Sequence, residues 1–232
     1  MDYSYIDKNY TEIRERVEAA AKRSPSGETP LFLAAIKSAD VGEIEHLCVK
    51  HGVKDVGENR VQQLLGRYQE LERLGVNVHF IGSLQTNKVK YIVDKVCMIH
   101  SLDRIELARE IDKQAKKINK VIDVLVEINI GEEENKGGVS PKEAEALCRD
   151  IAGFENIKLR GFMTMAPKCE KKEEYLKYFC ETYQLVLDIW QKKLHNIDRP
   201  IISMGMSESF EEAIECGSTV VRIGRSLFNK NQ

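Results

Sequence analysis

The chain has 232 residues, 42% of them hydrophobic, with 35 basic residues nearly balancing 37 acidic ones. That length suits one large domain or two small ones, and about 200–250 residues is typical of a single α/β barrel. The even charge balance gives no reason to expect a nucleic-acid or membrane surface. No run approaches the ~20 apolar residues of a membrane span, and the charged N-terminal segment lacks the apolar core of a signal peptide, so a cytosolic protein is expected.

Residues 6–23 read as an amphipathic helix that stops at Ser24-Pro25-Ser26-Gly27. LFLAAI (31–36) is a short apolar strand ending on Lys37, and Asp40 can cap the helix that Gly52 closes. A brief strand, VKDVG (53–57), precedes a helix from about Glu58 to Leu74. Next come the strand VNVHFIG (76–82), a helix at TNKVKYIVD (86–94), the strand VCMIHSL (96–102) and a helix from Asp103, its cap, to Ile118. VIDVLVEINI (121–130) is the longest strand-like run; the loop GEEENKGGVS and a helix from Pro141 to Ala152 follow. IKLRGFMTM (157–165), a helix near 172–193, PIISMG (200–205), the helix SESFEEAIECG and STVVRIG (218–224) complete the chain.

Eight apolar strands separated by helices imply a parallel sheet covered by helices. They fit a closed (β/α)8 TIM-type barrel with an extra N-terminal helix, one domain over residues 1–232. An open doubly wound sheet is the alternative, but the G-x-G-x-x-G that usually accompanies one is absent. Cys48, Cys97, Cys148, Cys169, Cys180 and Cys216 form no C-x-x-C pair, so reduced thiols are expected and metal knuckles are not. The five histidines stand singly, without H-E-x-x-H.

In a barrel, chemistry gathers where strands end. Lys37 is either a lysine whose ammonium snorkels to water or an amine held for a Schiff base with a carbonyl compound; its position alone leaves the two level. The ends of strands seven and eight separate them. Gly224 and the amides after it, in VRIGRS, open a turn toward a short helix where barrels often hold phosphate on backbone N–H groups. Ser203 and Ser207 of SMGMS add hydroxyls, Gly205 permits close backbone approach, and Arg222 can face inward. Taken singly, each is ordinary turn chemistry; jointly they point to phosphate. Glu58 and Asn59 fit a helix start, Thr86 an N-cap, and His79 a packed histidine. GEEENKGG lacks the G-K-[ST] of a phosphate loop and reads as a solvated acidic loop.

Together AAIKS, VGENRVQQ, HFIGSLQTNK, IHSLDR, EINIGEEENKGG, LRGFMTMAP, SMGMSESFEEAI and GSTVVRIGRSLF, spanning about residues 30–228, resemble the pyridoxal phosphate homeostasis protein family. Its members look like the N-terminal barrel of alanine racemases standing alone. The resemblance implies that Lys37 carries pyridoxal 5′-phosphate (PLP) as a Schiff base. Ser203, Ser207 and the amides of Gly224 and Arg225 would hold its phosphate, Arg222 would face the pyridine nitrogen, and Asn59 and Met204 would line the pocket. Two positions depart from the family pattern: Ala39 stands where a second lysine is common, and Arg225 replaces a small hydroxyl residue after R-I-G.

The function implied is PLP homeostasis without catalysis. The expected partners are PLP and, transiently, PLP-dependent apo-enzymes, and a monomer is expected. A PLP-dependent racemase is the alternative, but its second acid/base comes from a β-rich domain for which nothing remains after Gln232. A Schiff-base aldolase explains the rim without the family pattern.

Overall fold

The computed structural model describes residues 2–193 and 199–230. Eight parallel strands, β1 (Leu31–Ala35), β2 (Asp55–Glu58), β3 (Asn77–Phe80), β4 (Met98–Leu102), β5 (Ile122–Ile128), β6 (Ile157–Thr164), β7 (Ile201–Ser203) and β8 (Val220–Ile223), close into a barrel in chain order. Closure is made by β1 against β8, in register from Leu31↔Val220 to Ala34↔Ile223. Between them run α2 (Val41–His51), α3 (Val61–Arg73), a short 3₁₀ helix (Thr86–Tyr91), α4 (Ile105–Lys117), α5 (Ala144–Ile151), α6 (Lys172–Trp190) and α7 (Phe210–Glu215).

The local chemistry explains these boundaries. Asp40 and Glu43 form a reciprocal capping box, each carboxylate accepting the other's backbone N–H at 2.8 Å, and Gly52 ends α2 in the left-handed region at φ 67°. Side chains alternate along each strand. Phe32, Ala34 and Ile36 enter the apolar layer under the helices, whereas Leu33 and Ala35 join Ile81 and Val220 inside the barrel.

The N-terminal helix α1 (Ser4–Ala21) does more than extend the barrel. No helix follows β8 among the described residues, and α1 packs between α7 and α2, in the eighth helix's place. Asn9 donates to the carbonyls of Leu227 (3.1 Å) and Asn229 (2.9 Å), tying α1 to the chain that follows β8.

Several expectations change. The helix expected at 86–94 is a single 3₁₀ stretch. The short helix expected after Gly224 is a turn closed by Leu227 and Phe228 N–H donation to the Gly224 carbonyl. Asp103 does not cap α4: Arg104 occupies the N-cap position and its guanidinium draws the Asp103 carboxylate to itself. The expectation of six reduced thiols fails at Cys180 and Cys216, which form a disulfide because α6 and α7 pack with these Cα atoms 5.0 Å apart. Cys48, Cys97, Cys148 and Cys169 are free thiols. No described helix is long and apolar enough to cross a membrane.

Candidate functional site

Lys37 lies in the turn at the rim, two residues beyond the end of β1, the strand whose Leu33 and Ala35 face the barrel interior. The pairings Ala35↔Gly57 and Ala34↔Ile223 bring the end of β1, from which the chain runs on to Lys37, between the ends of β2 and β8. The Lys37 side chain is exposed while its backbone is pinned. Arg67 on α3 donates to the Ile36 carbonyl at 2.9 Å, and Gln63 donates to the Lys37 carbonyl at 3.4 Å. Arg67 also lies 3.5 Å from the fully buried Glu58, whose other oxygen accepts the Asn59 amide at 2.8 Å. Glu58 therefore organises the loop after β2 and does not reach the rim.

The two glycine turns after β7 and β8 are joined. The Ser226 amide donates to Ser207 Oγ at 3.2 Å, and the Arg222 amide donates to the Gly205 carbonyl at 3.0 Å. Gly205 has φ 91°, and a Cβ there would stand 2.6 Å from that of Ala213. A Cβ on Gly224 would stand 2.4 Å from the Ala35 carbonyl oxygen, so glycine lets this turn lie against the end of β1. Among the described residues, the Gly224 and Arg225 amides donate none of the backbone hydrogen bonds of the turn. Asn59 Oδ1, Gln63 Oε1 and Ser226 Oγ are buried with no hydrogen-bond partner among the described residues. Buried polar atoms normally have partners.

Two expected residues, Met204 and Ser203, sit differently from the reading that names them, while Arg225 is named there for its amide. Met204 is fully buried, and its side chain belongs to the outer apolar layer because Ser203, one residue earlier, takes the inward position. Arg225 points to solvent and pairs with Glu208, leaving only its amide at the rim. Ser203 is fully buried, its hydroxyl engaged with Arg222 Nη1 at 2.8 Å and His100 Nδ1 at 3.1 Å.

Arg222 faces inward as expected. Its Nη1 also donates to the Ser203 carbonyl at 2.6 Å, and its Nη2 to the Thr164 carbonyl at 2.9 Å. Burial pushes the guanidinium down to about 10, with the charge of Glu127 acting in the opposite direction. Glu127, inward on β5, is pushed up to about 7 by burial and by Asp103, against the pull of Arg222. Sequence reading missed Glu127, Gln63, Arg67 and Ser226. Inward parity along VLVEI could have marked Glu127, but nothing contiguous marked the others.

A cleft of about 310 Å³ opens beside Asn59, between the loops after β2 and β3, lined also by Arg60, Ser83 and Lys88. A larger one, about 980 Å³, lies at the strands' N-terminal end along α6, away from this constellation.

The model of the alanine racemase N-terminal domain family matches residues 5–232. The pyridoxal phosphate homeostasis protein of Aquifex aeolicus is 43% identical over 220 residues, covering 95% of this chain and 96% of that protein. A solved structure of an unknown protein from Bifidobacterium adolescentis superposes with TM-score 0.90 at 30% identity, covering 98% of this chain and 97% of the other. PipY of Synechococcus elongatus, solved with PLP bound, gives TM-score 0.83 at 24% identity, covering 97% and 100%. The match to the family model over residues 5–232, with 43% identity to a relative over 95% of the chain, places this chain in the pyridoxal phosphate homeostasis protein family, within the alanine racemase N-terminal domain family.

Proposed function

We propose that this chain holds PLP at the barrel rim on Lys37 and acts in intracellular PLP homeostasis as a carrier with no reaction of its own. One observation carries the reading. An exposed lysine with a pinned backbone follows β1, and β8, which pairs with β1, runs into the turn whose Ser226 amide donates to Ser207 Oγ. The residues fit the group, since the Ser226 hydroxyl, buried without a partner among the described residues, can donate to a phosphate oxygen. The names of relatives support the same cofactor.

When bound, PLP supplies an aldehyde that captures amines and an aromatic ring that withdraws electrons. Lys37 provides the amine, and its exposure leaves room for arrival and departure. The Gly224 and Arg225 amides and Ser207 suit a phosphate dianion. Arg222 offers only N–H donors, and its charge disfavours protonation of a ring nitrogen facing it, which weakens electron withdrawal. Ala39 is buried, so Lys37 acts without a neighbouring amine at that place. The protein would work in the cytosol as one barrel domain and a monomer, handing the cofactor to apo-enzymes in transient encounters.

Incubation with PLP, borohydride reduction and peptide mass spectrometry test this assignment. The reduced adduct is expected on Lys37 and is expected to vanish in Lys37→Ala. Label on another lysine, or none, overturns the site. Robust α-hydrogen exchange from an amino acid by the loaded protein overturns the claim that it is a carrier alone.

A further inference from the structure

A continuous line of polar groups crosses the barrel interior, from the N-terminal end of β2 to Arg222. Asp55 Oδ1 lies 3.1 Å from His79 Nε2. His79 Nδ1 lies 2.9 Å from His100 Nε2, and His100 Nδ1 lies 3.1 Å from Ser203 Oγ. Arg222 Nη1 closes the line at 2.8 Å from the same hydroxyl. His79, His100, Ser203 and Arg222 are each at most 5% exposed, while the Asp55 side chain is 16% exposed.

The two ends determine the middle. A guanidinium only donates and a carboxylate only accepts. With both imidazoles neutral, a single arrangement satisfies every link. Arg222 donates to Ser203 Oγ, and the Ser203 O–H donates to His100 Nδ1. His100 Nε2–H then donates to His79 Nδ1, and His79 Nε2–H to Asp55. Burial, the largest cause, together with the charge of Arg222, holds His100 well below the ordinary histidine range, in keeping with a neutral His100 ring. Asn77 Nδ2 also donates to Asp55 Oδ1, at 3.0 Å, which reinforces the carboxylate as the accepting end.

We propose that Asp55, His79 and His100 are positioning residues for the cofactor site: a one-way hydrogen-bond relay that engages the Ser203 hydroxyl proton inside the barrel and so makes Ser203 the acceptor that aims Arg222. This deepens the PLP reading and rests on it for the consequence at the ligand. Ser203 then acts through Arg222, and phosphate contact falls to Ser207 and the two amides. Asp55, three residues before the end of its strand and facing the opposite mouth, sets the direction of the whole line.

The test uses the full chain, ¹⁵N-labelled at histidine, with long-range ¹H–¹⁵N correlation to read each ring. His79 and His100 are both expected as neutral Nε2–H tautomers near pH 7; an Nδ1–H tautomer or an imidazolium at either overturns the relay. Asp55→Asn replaces an acceptor-only end with one that can also donate. It is expected to mix the tautomers and to speed PLP release, read by absorbance with excess apo-enzyme as trap, by about threefold to tenfold, the loss of one modest hydrogen-bond contribution. Unchanged tautomers and an unchanged release rate in a folded Asp55→Asn protein overturn the proposal. Should this variant not fold, the wild-type tautomers decide alone. Failure of the wild type to capture PLP on Lys37 would sink the cofactor reading while leaving the tautomer result to judge the relay.

Discussion

The same eight strands support two layers of side chains with opposite chemistry. Between the strands and the helices lies a continuous apolar layer that contains Phe80, Phe162, Phe179 and Leu47, all fully or almost fully buried. Inside the barrel, buried apolar residues form two small groups, Leu33, Ala35, Ile81 and Val220 in one and Met98, Leu125 and Met163 in the other. Other inward positions carry polar groups, Asp55, His79, His100, Glu127, Ser203 and Arg222. Apolar burial stabilises by about 25 cal/mol per Å², whereas buried charge adds little net stability and is costly when broken. The outer layer therefore holds the barrel together, and the inner one orients groups at the rim.

Truncation in the outer layer gives the sharpest contrast. Phe162 is fully buried and its ring meets that of Trp190 edge-on at 6.3 Å. Phe162→Ala should cost about 3–5 kcal/mol, on the order of 10 °C in Tm, with the PLP absorbance of the loaded protein unchanged. A calorimetric loss below about 1 kcal/mol would show that this layer is looser than its burial indicates. The Cys180–Cys216 bridge, spanning 36 residues, comes next. Reduction by dithiothreitol should cost about 2–4 kcal/mol in wild type and nothing in the Cys180→Ala/Cys216→Ala double variant.

The two layers were not equally legible in the sequence. Continuous apolar runs such as LFLAA and VLV mark the eight strands, because burial on both faces demands them. Lys37, Ser207, Arg222 and Gly224 were legible because short contiguous motifs carry them. The relay was not: His79 and His100 are 21 residues apart, His100 and Ser203 are 103 apart, and only barrel closure joins them. His79 is indeed a packed histidine, as its solitary position suggests, but its partners make it more than filler. The role of α1 as the eighth helix also escaped a reading in chain order, since its partners α2 and α7 lie on either side of the barrel seam.

Glu127 probes the inner layer through pH. Its carboxyl is raised from 4.5 to about 7, so between those values the folded protein binds more protons than the unfolded chain. Stability therefore falls as pH rises through that window, by an amount on the order of 3 kcal/mol. Glu127→Gln keeps the shape without the titration. It should flatten the slope of denaturant-derived stability between pH 5 and about 7.5, and it should be the more stable protein at the upper end. Arg222 pulls the same carboxyl down, so Arg222→Ala should move the step above pH 7. An unaltered slope in Glu127→Gln would assign the titration to another group.

The smallest effect is expected on the outside, where α1 meets α2. Asp7 Oδ1 lies 2.8 Å from His46 Nε2 and 2.6 Å from His51 Nε2, and its other oxygen accepts from Lys50 at 2.6 Å. Lys50, with His46 and His51, holds the Asp7 carboxyl well below the usual carboxylate range. A depressed acid stabilises the fold above its unfolded pKa of about 4, and that contribution is lost as pH falls. Lys50 is 55% exposed, so the pairing is worth only about 0.5–1 kcal/mol and is weakened by salt. Asp7→Asn should lower Tm by about 2 °C at pH 7 and low salt, and the gap should close below pH 4 or in 1 M salt. A loss several times larger, unaffected by salt, would mean that this clamp belongs energetically with the buried layers. The seating of α1 in the eighth helix's place would then rest on Asp7 as much as on Ile6, Ile13 and Val17.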